Sequence, residues 1–334
     1  MKRHVNIPVF IPHLGCPHQC VFCDQRSITG REFDPSDVEG QIEEALGTVS
    51  GGIDCEIAFF GGSFTGIGED LMRRLLCIAA RFADEGRVSG IRLSTRPDYI
   101  DRRILSILAE YPVKTVELGI QSMDDDVLRA SKRGHTAEQS REACRLVVGR
   151  GFSLVGQMMI GLPGADEQSE IKTAEEICAL GASAARIYPA VVLKNTELEE
   201  MSTDGRYLPL GIDEAVGRSA SVLEIFTARS VPVIRLGLCA SDGLSAESAV
   251  GGAYHPAMGE LVRGELYRRK IEEALTDAGI SGRDTVTVEV PRGAVSPAIG
   301  NGGRNRAAIQ SKFNIKSLKT VENPRLKEYN VKVE

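Results

Sequence analysis

No apolar stretch in this chain is long enough to span a bilayer, so no membrane partner is expected. The opening "MKRHVNIPVF" is basic, but its apolar run stops at Pro12 and His13, and no export signal is expected. Positive charge is not in surplus either: 40 Lys and Arg stand against 46 Asp and Glu, a formal net charge of −6. That balance gives no global pull toward nucleic acid or an acidic membrane, and any such contact must be local. Internal repeats and low-complexity tracts are absent as well. What remains is the composition expected of a soluble globular protein, and 334 residues suit about two domains with a substantial core.

Eight cysteines are present, three of them clustered in "GCPHQCVFCDQ" as Cys16, Cys20 and Cys23, spaced C-x3-C-x2-C. A disulfide framework is not expected in a chain of this size without an export signal, and the cytoplasm is the expected location. Cys55, Cys77, Cys144 and Cys178 lie among apolar residues and read as small buried hydrophobes. Cys239 follows an apolar run near a possible site. Three clustered thiols leave two readings open. A structural zinc needs a fourth ligand, for which His13 or His18 is available. An iron–sulfur cluster with one open iron needs only three.

Short apolar runs alternate with longer amphipathic ones. Strands are expected at 5–12, 55–62, 90–95, 115–121, 153–161, 184–192 and 232–237. Helices are expected between them, the first from Asp34 as cap with Pro35 at its first position. The alternation predicts an α/β fold, a partial parallel (β/α)6 TIM-like barrel, with chemistry at the C-terminal strand ends. Gly61-Gly62-Ser63, Ser94-Thr95-Arg96, Gln121 and Gly161 fall at those ends. The final fifty residues differ: Lys and Arg outnumber Asp and Glu about two to one. The expected domains are a partial barrel over 1–237, a helical and loop extension over 238–282, and a small basic α+β module over 283–334.

The cysteine spacing, the aromatic Phe22 before the last cysteine and the glycine pair after the second strand together resemble the radical S-adenosylmethionine (SAM) superfamily. Closer similarity lies with the radical SAM domain of the Elongator catalytic subunit and its short bacterial relatives. It is carried by "FFGGSFTG", "STRPDYI", "VELGIQSMDDDVLRASKRGHT", "MMIGLPG", "IYPAVVLKNTELEEM" and "GRY", in that order. The resemblance implies a 4Fe–4S cluster on Cys16, Cys20 and Cys23, with SAM on the open iron. It also implies one-electron cleavage of SAM to a 5′-deoxyadenosyl radical, and an electron donor such as flavodoxin or ferredoxin.

Site residues follow from the same resemblance. Phe22 would lie beside the adenine, and the carbonyls of Gly61 and Gly62, with Ser63 next to them, would face the SAM ammonium. Gln121 would hydrogen-bond SAM, Arg133 would pair with its carboxylate, and Gln157 and Ile160 would meet ribose and adenine. Ser94 stands where several relatives carry Glu, which removes a carboxylate contact there. Glu117 reads either as a site residue or as a salt bridge within the barrel. No catalytic residue is assigned.

The basic tail reads strand (286–290), helix (294–299), loop Gly300-Asn301-Gly302-Gly303, helix (304–313), and strands at 317–321 and 329–333. This resembles a small KH-like module, whose G-x-x-G loop clamps a nucleic-acid backbone. Arg304, Arg306 and Lys312 would add phosphate contacts. The expected function is radical SAM modification of RNA, with tRNA or another RNA as partner. Two alternatives are an oxygen-independent coproporphyrinogen oxidase-like enzyme and a non-catalytic RNA-binding iron–sulfur protein. Substrate, product, fate of SAM and oligomeric state are not written in the sequence.

Overall fold

The computed structural model describes residues 4–11, 14–16, 20–23, 33–50, 52–238 and 248–334. His13, His18 and Cys239 lie outside the described residues. Seven strands run parallel in one sheet. They are β1 (His4–Phe10), β2 (Asp54–Phe60), β3 (Gly90–Thr95), β4 (Val113–Gln121), β5 (Ser153–Ile160) and β6 (Ala184–Pro189), then β8 (Val233–Leu236) at the far edge. This is the expected partial barrel, six β/α repeats followed by a seventh strand. The inner strands are largely buried on both faces, as in a parallel sheet covered on both sides, but one set of positions carries the charged and polar side chains Glu56, Arg92, Glu117, Gln157 and Arg186.

Helices return the chain between strands, and several of them are capped at the N-terminus by short polar side chains. The Thr136 hydroxyl accepts from the Gln139 amide in a reciprocal capping box, and Asp166 with Ser169 forms a second. Along the helix Glu69–Asp84 the buried positions are Met72, Leu75, Leu76, Ala79 and Phe82. Cys77 lies off that stripe and is exposed, so it is not the core residue expected. Cys178 is half-buried, while Cys55 and Cys144 are buried as expected. The first helix begins at Val38 rather than at Pro35. Asp34 spends its carboxylate on the Ser36 backbone and hydroxyl, at 2.8 and 2.7 Å, closing a turn before the helix.

The run 184–192 is two strands, not one. After Pro189 the chain leaves the barrel sheet, and β7 (Val191–Leu193) pairs antiparallel with β9 (Ala249–Gly252). The turn to a separate sheet follows the proline, which has no N–H for the ladder.

Two compact units divide the chain, one of Met1–Leu210 with Phe226–Tyr254, the other of Gly211–Ile225 with His255–Glu334. In the second unit β10 (Thr285–Val290) is flanked by β11 (Ser317–Glu322), parallel, and β12 (Lys332–Val333), antiparallel. Helices Val295–Ile299 and Arg304–Phe313 connect β10 to β11, with the glycine loop between them. The last strand is shorter than expected because Tyr329 takes a left-handed φ of 60° and its ring turns in against Tyr267, centroids 4.8 Å apart. Among the described residues no helix is long and apolar enough to cross a membrane.

Candidate cofactor-binding site

The cysteine loop is fixed to the sheet by backbone contacts that only glycine permits. The amide of Ile11 donates to the Phe60 carbonyl at 2.7 Å, and that of Ser63 donates to the Leu14 carbonyl at 3.0 Å. A Cβ on Gly62 would lie 2.5 Å from the Leu14 oxygen and 2.6 Å from the Ile11 oxygen. One on Gly15, where φ is 71°, would lie 2.3 Å from the Ser63 oxygen. The glycine pair was expected to bring backbone close to a ligand. What it brings close is the backbone leading into Cys16.

Further along, the Val21 amide donates to Ser131 at 3.2 Å, and the Val21 carbonyl accepts from Leu198 at 2.8 Å. Phe22 packs on Val21, Val192, Leu198, Met201 and Tyr207, anchoring the loop in an apolar cluster. No disulfide joins the seven described cysteines. Nor do any three described His, Cys, Asp or Glu side chains converge as the ligands of one ion would. A cubane cluster would take its three thiolates on three separate irons.

Two buried arginines stand beside these cysteines. Arg133 Nη1 donates to Cys20 Sγ at 3.2 Å, and Nη2 donates to the Gly119 carbonyl. Arg96 reaches both Asp98 carboxylate oxygens at 3.0 Å and donates from Nη2 to the Arg133 carbonyl. Burial works against the Arg96 charge, but Asp98, Cys16 and Cys20 outweigh it and hold the guanidinium firmly protonated. His135, also buried, is pushed down to about 3, by desolvation first and then by Arg133 and Arg96. Its ring therefore stays neutral, with Nε2 3.3 Å from the Ile120 carbonyl.

Gln121 ends β4 with φ at 68°, a conformation rare for a residue with a Cβ and one that clusters at functional sites. Its Oε1 is buried, as are Arg133 Nε and Arg96 Nη1, and none of the three has a hydrogen-bond partner among the described residues. Buried polar atoms are nearly always bonded. Two donors and one acceptor together beside a cysteine loop suit a polar ligand that carries both an anionic and a cationic group, as the carboxylate and ammonium of SAM do.

The other expected residues divide. Gly61 turns at the end of β2 with φ of 94°, and Ser94 is half-buried near the end of β3. Ser63 is fully buried, and its hydroxyl serves Thr95 at 2.8 Å and the Arg96 amide at 3.2 Å. Ile160 is fully buried at the end of β5, and Gln157 donates to Glu117 at 3.3 Å inside the sheet. Sequence reasoning gave Arg133 a role, placed Arg96 at a strand end without one, and missed Asp98 and Gly15. The stretch "STRPDYI" held Arg96 and Asp98, yet nothing in it pointed to a carbonyl 37 residues away.

In the second unit, Asn301 and Gly302 of the glycine loop are exposed, as are Arg304 and Arg306. Gly300 is required where it stands: its φ is 78°, and a Cβ would lie 2.7 Å from Asn305 Cγ. Asn305 donates to the Gly264 carbonyl at 2.7 Å and to that of Pro297 at 3.2 Å, setting the base of the loop. Arg304 pairs with Asp213 at 3.1 Å and Lys312 with Glu272 at 2.6 Å.

The sequence matches the Radical SAM superfamily over residues 10–177 and the Radical_SAM C-terminal domain over residues 182–268. An uncharacterized protein of Methanocaldococcus jannaschii is 30% identical over 236 residues, covering 67% of this chain and 72% of that protein. The tRNA uridine(34) acetyltransferase of the same organism is 29% identical over 245 residues, 60% of this chain and 45% of the acetyltransferase. This chain thus spans under half the length of that relative. Among solved structures, the archaeal Elp3 of Methanocaldococcus infernus shares the fold with a TM-score of 0.61 at 21% identity, over 84% of this chain and 64% of that one. The chain belongs to the radical SAM superfamily, enzymes that work with a 4Fe–4S cluster and SAM, and within it is similar to the Elongator type.

Proposed function

We propose that this chain modifies RNA, with tRNA as the substrate class, and that Cys16, Cys20 and Cys23 hold its cluster. The observation that carries the cofactor assignment is the docked cysteine loop beside three buried, unpartnered polar atoms. A cluster held there would supply one-electron reductive cleavage of SAM. The protein's share is binding and orientation. Arg133 would offer Nε to the SAM carboxylate and Gln121 its amide oxygen, and the Gly61 and Gly62 carbonyls, with Ser63 and Ser94 beside them, would face the ammonium. Gln157 and Ile160 would meet the ribose and adenine, and Phe22 would lie beside the adenine. A cytoplasmic flavodoxin or ferredoxin would supply the electron.

The RNA assignment rests on the second unit and on tRNA-acting relatives. Between β10 and β11, two helices meet at an exposed glycine loop, the arrangement a KH-like module uses to grip a nucleic-acid backbone. The amides opening the helix Arg304–Phe313 add a positive dipole end. Arg304 and Asp213 are 63% and 86% exposed, so their pair is worth little and gives way readily to a phosphate. Filter binding with tRNA tests this. Gly302→Asp with Arg304→Glu is expected to weaken binding at least tenfold, about 1.4 kcal/mol, and to flatten its salt dependence. Unchanged affinity would remove the RNA reading.

A further inference from the structure

We infer that Arg96 is a positioning residue that fixes Arg133 against the Cys20 sulfur, and that the two guanidiniums together set how readily the cluster accepts an electron. This rests on the reading that Cys16, Cys20 and Cys23 hold the cluster.

Both guanidiniums are deeply buried, with Arg96 4% and Arg133 6% exposed. Arg133 sits in a tight turn just after the helix Asp125–Ala130, where Lys132 takes a left-handed φ of 51°. A side chain leaving such a turn needs its backbone held if its tip is to keep a fixed target. Arg96 does the holding, through its Nη2 bond to the Arg133 carbonyl. Arg96 is itself fixed twice, by the Asp98 fork and by its own amide on Ser63 Oγ at 3.2 Å. It therefore ties together the loop after β2, the end of β3 and the turn after β4.

The charge count gives the consequence. Arg133 spends its two Nη groups on a sulfur and a carbonyl, neither a carboxylate. Arg96 shares its charge with Asp98, and His135 is neutral. One positive charge thus faces the cysteine sulfur from a buried position without a carboxylate on the same guanidinium. Reduction adds one electron, from an external low-potential donor, to a group already bearing thiolates. A buried cation and an N–H···S bond both favour that extra negative charge and raise the potential. A guanidinium serving packing alone would not leave Arg96 Nη1 and Arg133 Nε buried without partners among the described residues.

The test uses the full chain, reconstituted anaerobically with iron and sulfide and titrated with dithionite under EPR, without SAM. Arg96→Gln is expected to lower the midpoint potential, so that at the wild-type midpoint the ratio of reduced to oxidised cluster falls about tenfold, a shift of ~59 mV. Asp98→Asn, which removes the compensating carboxylate, is expected to shift the ratio upward. Arg96→Lys keeps the charge without the fork and is expected to fall between wild type and Arg96→Gln. Opposite signs cannot come from a loosened loop. Unchanged midpoints at full iron content, or shifts in the same direction, would overturn the inference. If Arg96→Gln does not load, Asp98→Asn decides alone: a rise supports the inference, and no shift or a fall overturns it. Failure of the wild-type chain to bind iron and sulfide would instead sink the cluster assignment.

Discussion

Glu117 has no exposed surface, and two arginines close on it within the sheet. Arg92 Nη1 lies 2.8 Å from Oε1, and Arg186 Nε lies 2.8 Å from Oε2. Arg92 also pairs with Glu56 at 2.9 Å, and Glu56 lies 3.5 Å from His4. Glu56 on β2, Arg92 on β3, Glu117 on β4 and Arg186 on β6 thus alternate in charge, with the neutral Gln157 of β5 also on Glu117, and the geometry makes Glu117 the centre of a salt-bridge network. Removing one member of a buried set leaves uncompensated charge, which costs about 3–5 kcal/mol. Glu117→Gln keeps the shape and should lose about that much in urea unfolding; a loss under about 1 kcal/mol would contradict the network's importance. His135 makes a pH prediction of its own. Its folded value is depressed to about 3 from 6.5, so the unfolded chain binds the proton first. The stability it contributes is complete above pH 6.5 and drains away as pH falls toward 3, by at most about 1.4 kcal/mol per pH unit. His135→Gln should flatten that slope in pH-dependent unfolding, and an unaltered slope would refute the assignment.

At the scale of elements, the loop carrying the cysteines and the loop after β2 act as one piece. Gly62→Ala places a Cβ into two carbonyl oxygens and should displace the loop. Iron and sulfide bound per chain should fall by at least half after reconstitution, while far-ultraviolet circular dichroism stays unchanged. Full loading would show that the loop tolerates the shift. How much of this was legible follows from the range of each signal. The barrel strands announced themselves because a strand buried on both faces is an apolar run, local in the sequence. The cysteine motif was equally local. The supports of the motif were not. Gly15 meets the Ser63 carbonyl, and Arg96 meets the Arg133 carbonyl, through contacts made only once the strands are side by side. Strand β9 escaped notice because Ala249-Val250-Gly251-Gly252 has little apolar alternation and pairs with β7 from far away in sequence. Cys77 is exposed despite its apolar surroundings in sequence, because neighbours in sequence are not neighbours on a helix face.

For the molecule as a whole, the two units carry separate halves of the account. The partial barrel supplies the cysteine loop and the buried arginines, and the second unit supplies a glycine loop with exposed cationic side chains. The RNA claim stands or falls with binding by that second unit. The cofactor claim stands or falls with the first. It is the central one, and formation of 5′-deoxyadenosine tests it most directly. The full chain, reconstituted anaerobically and supplied with dithionite and SAM, should produce 5′-deoxyadenosine, and Cys20→Ala treated identically should produce none. A chain with intact cluster absorbance that yields no 5′-deoxyadenosine, or a Cys20→Ala variant that yields as much as wild type, would contradict the account.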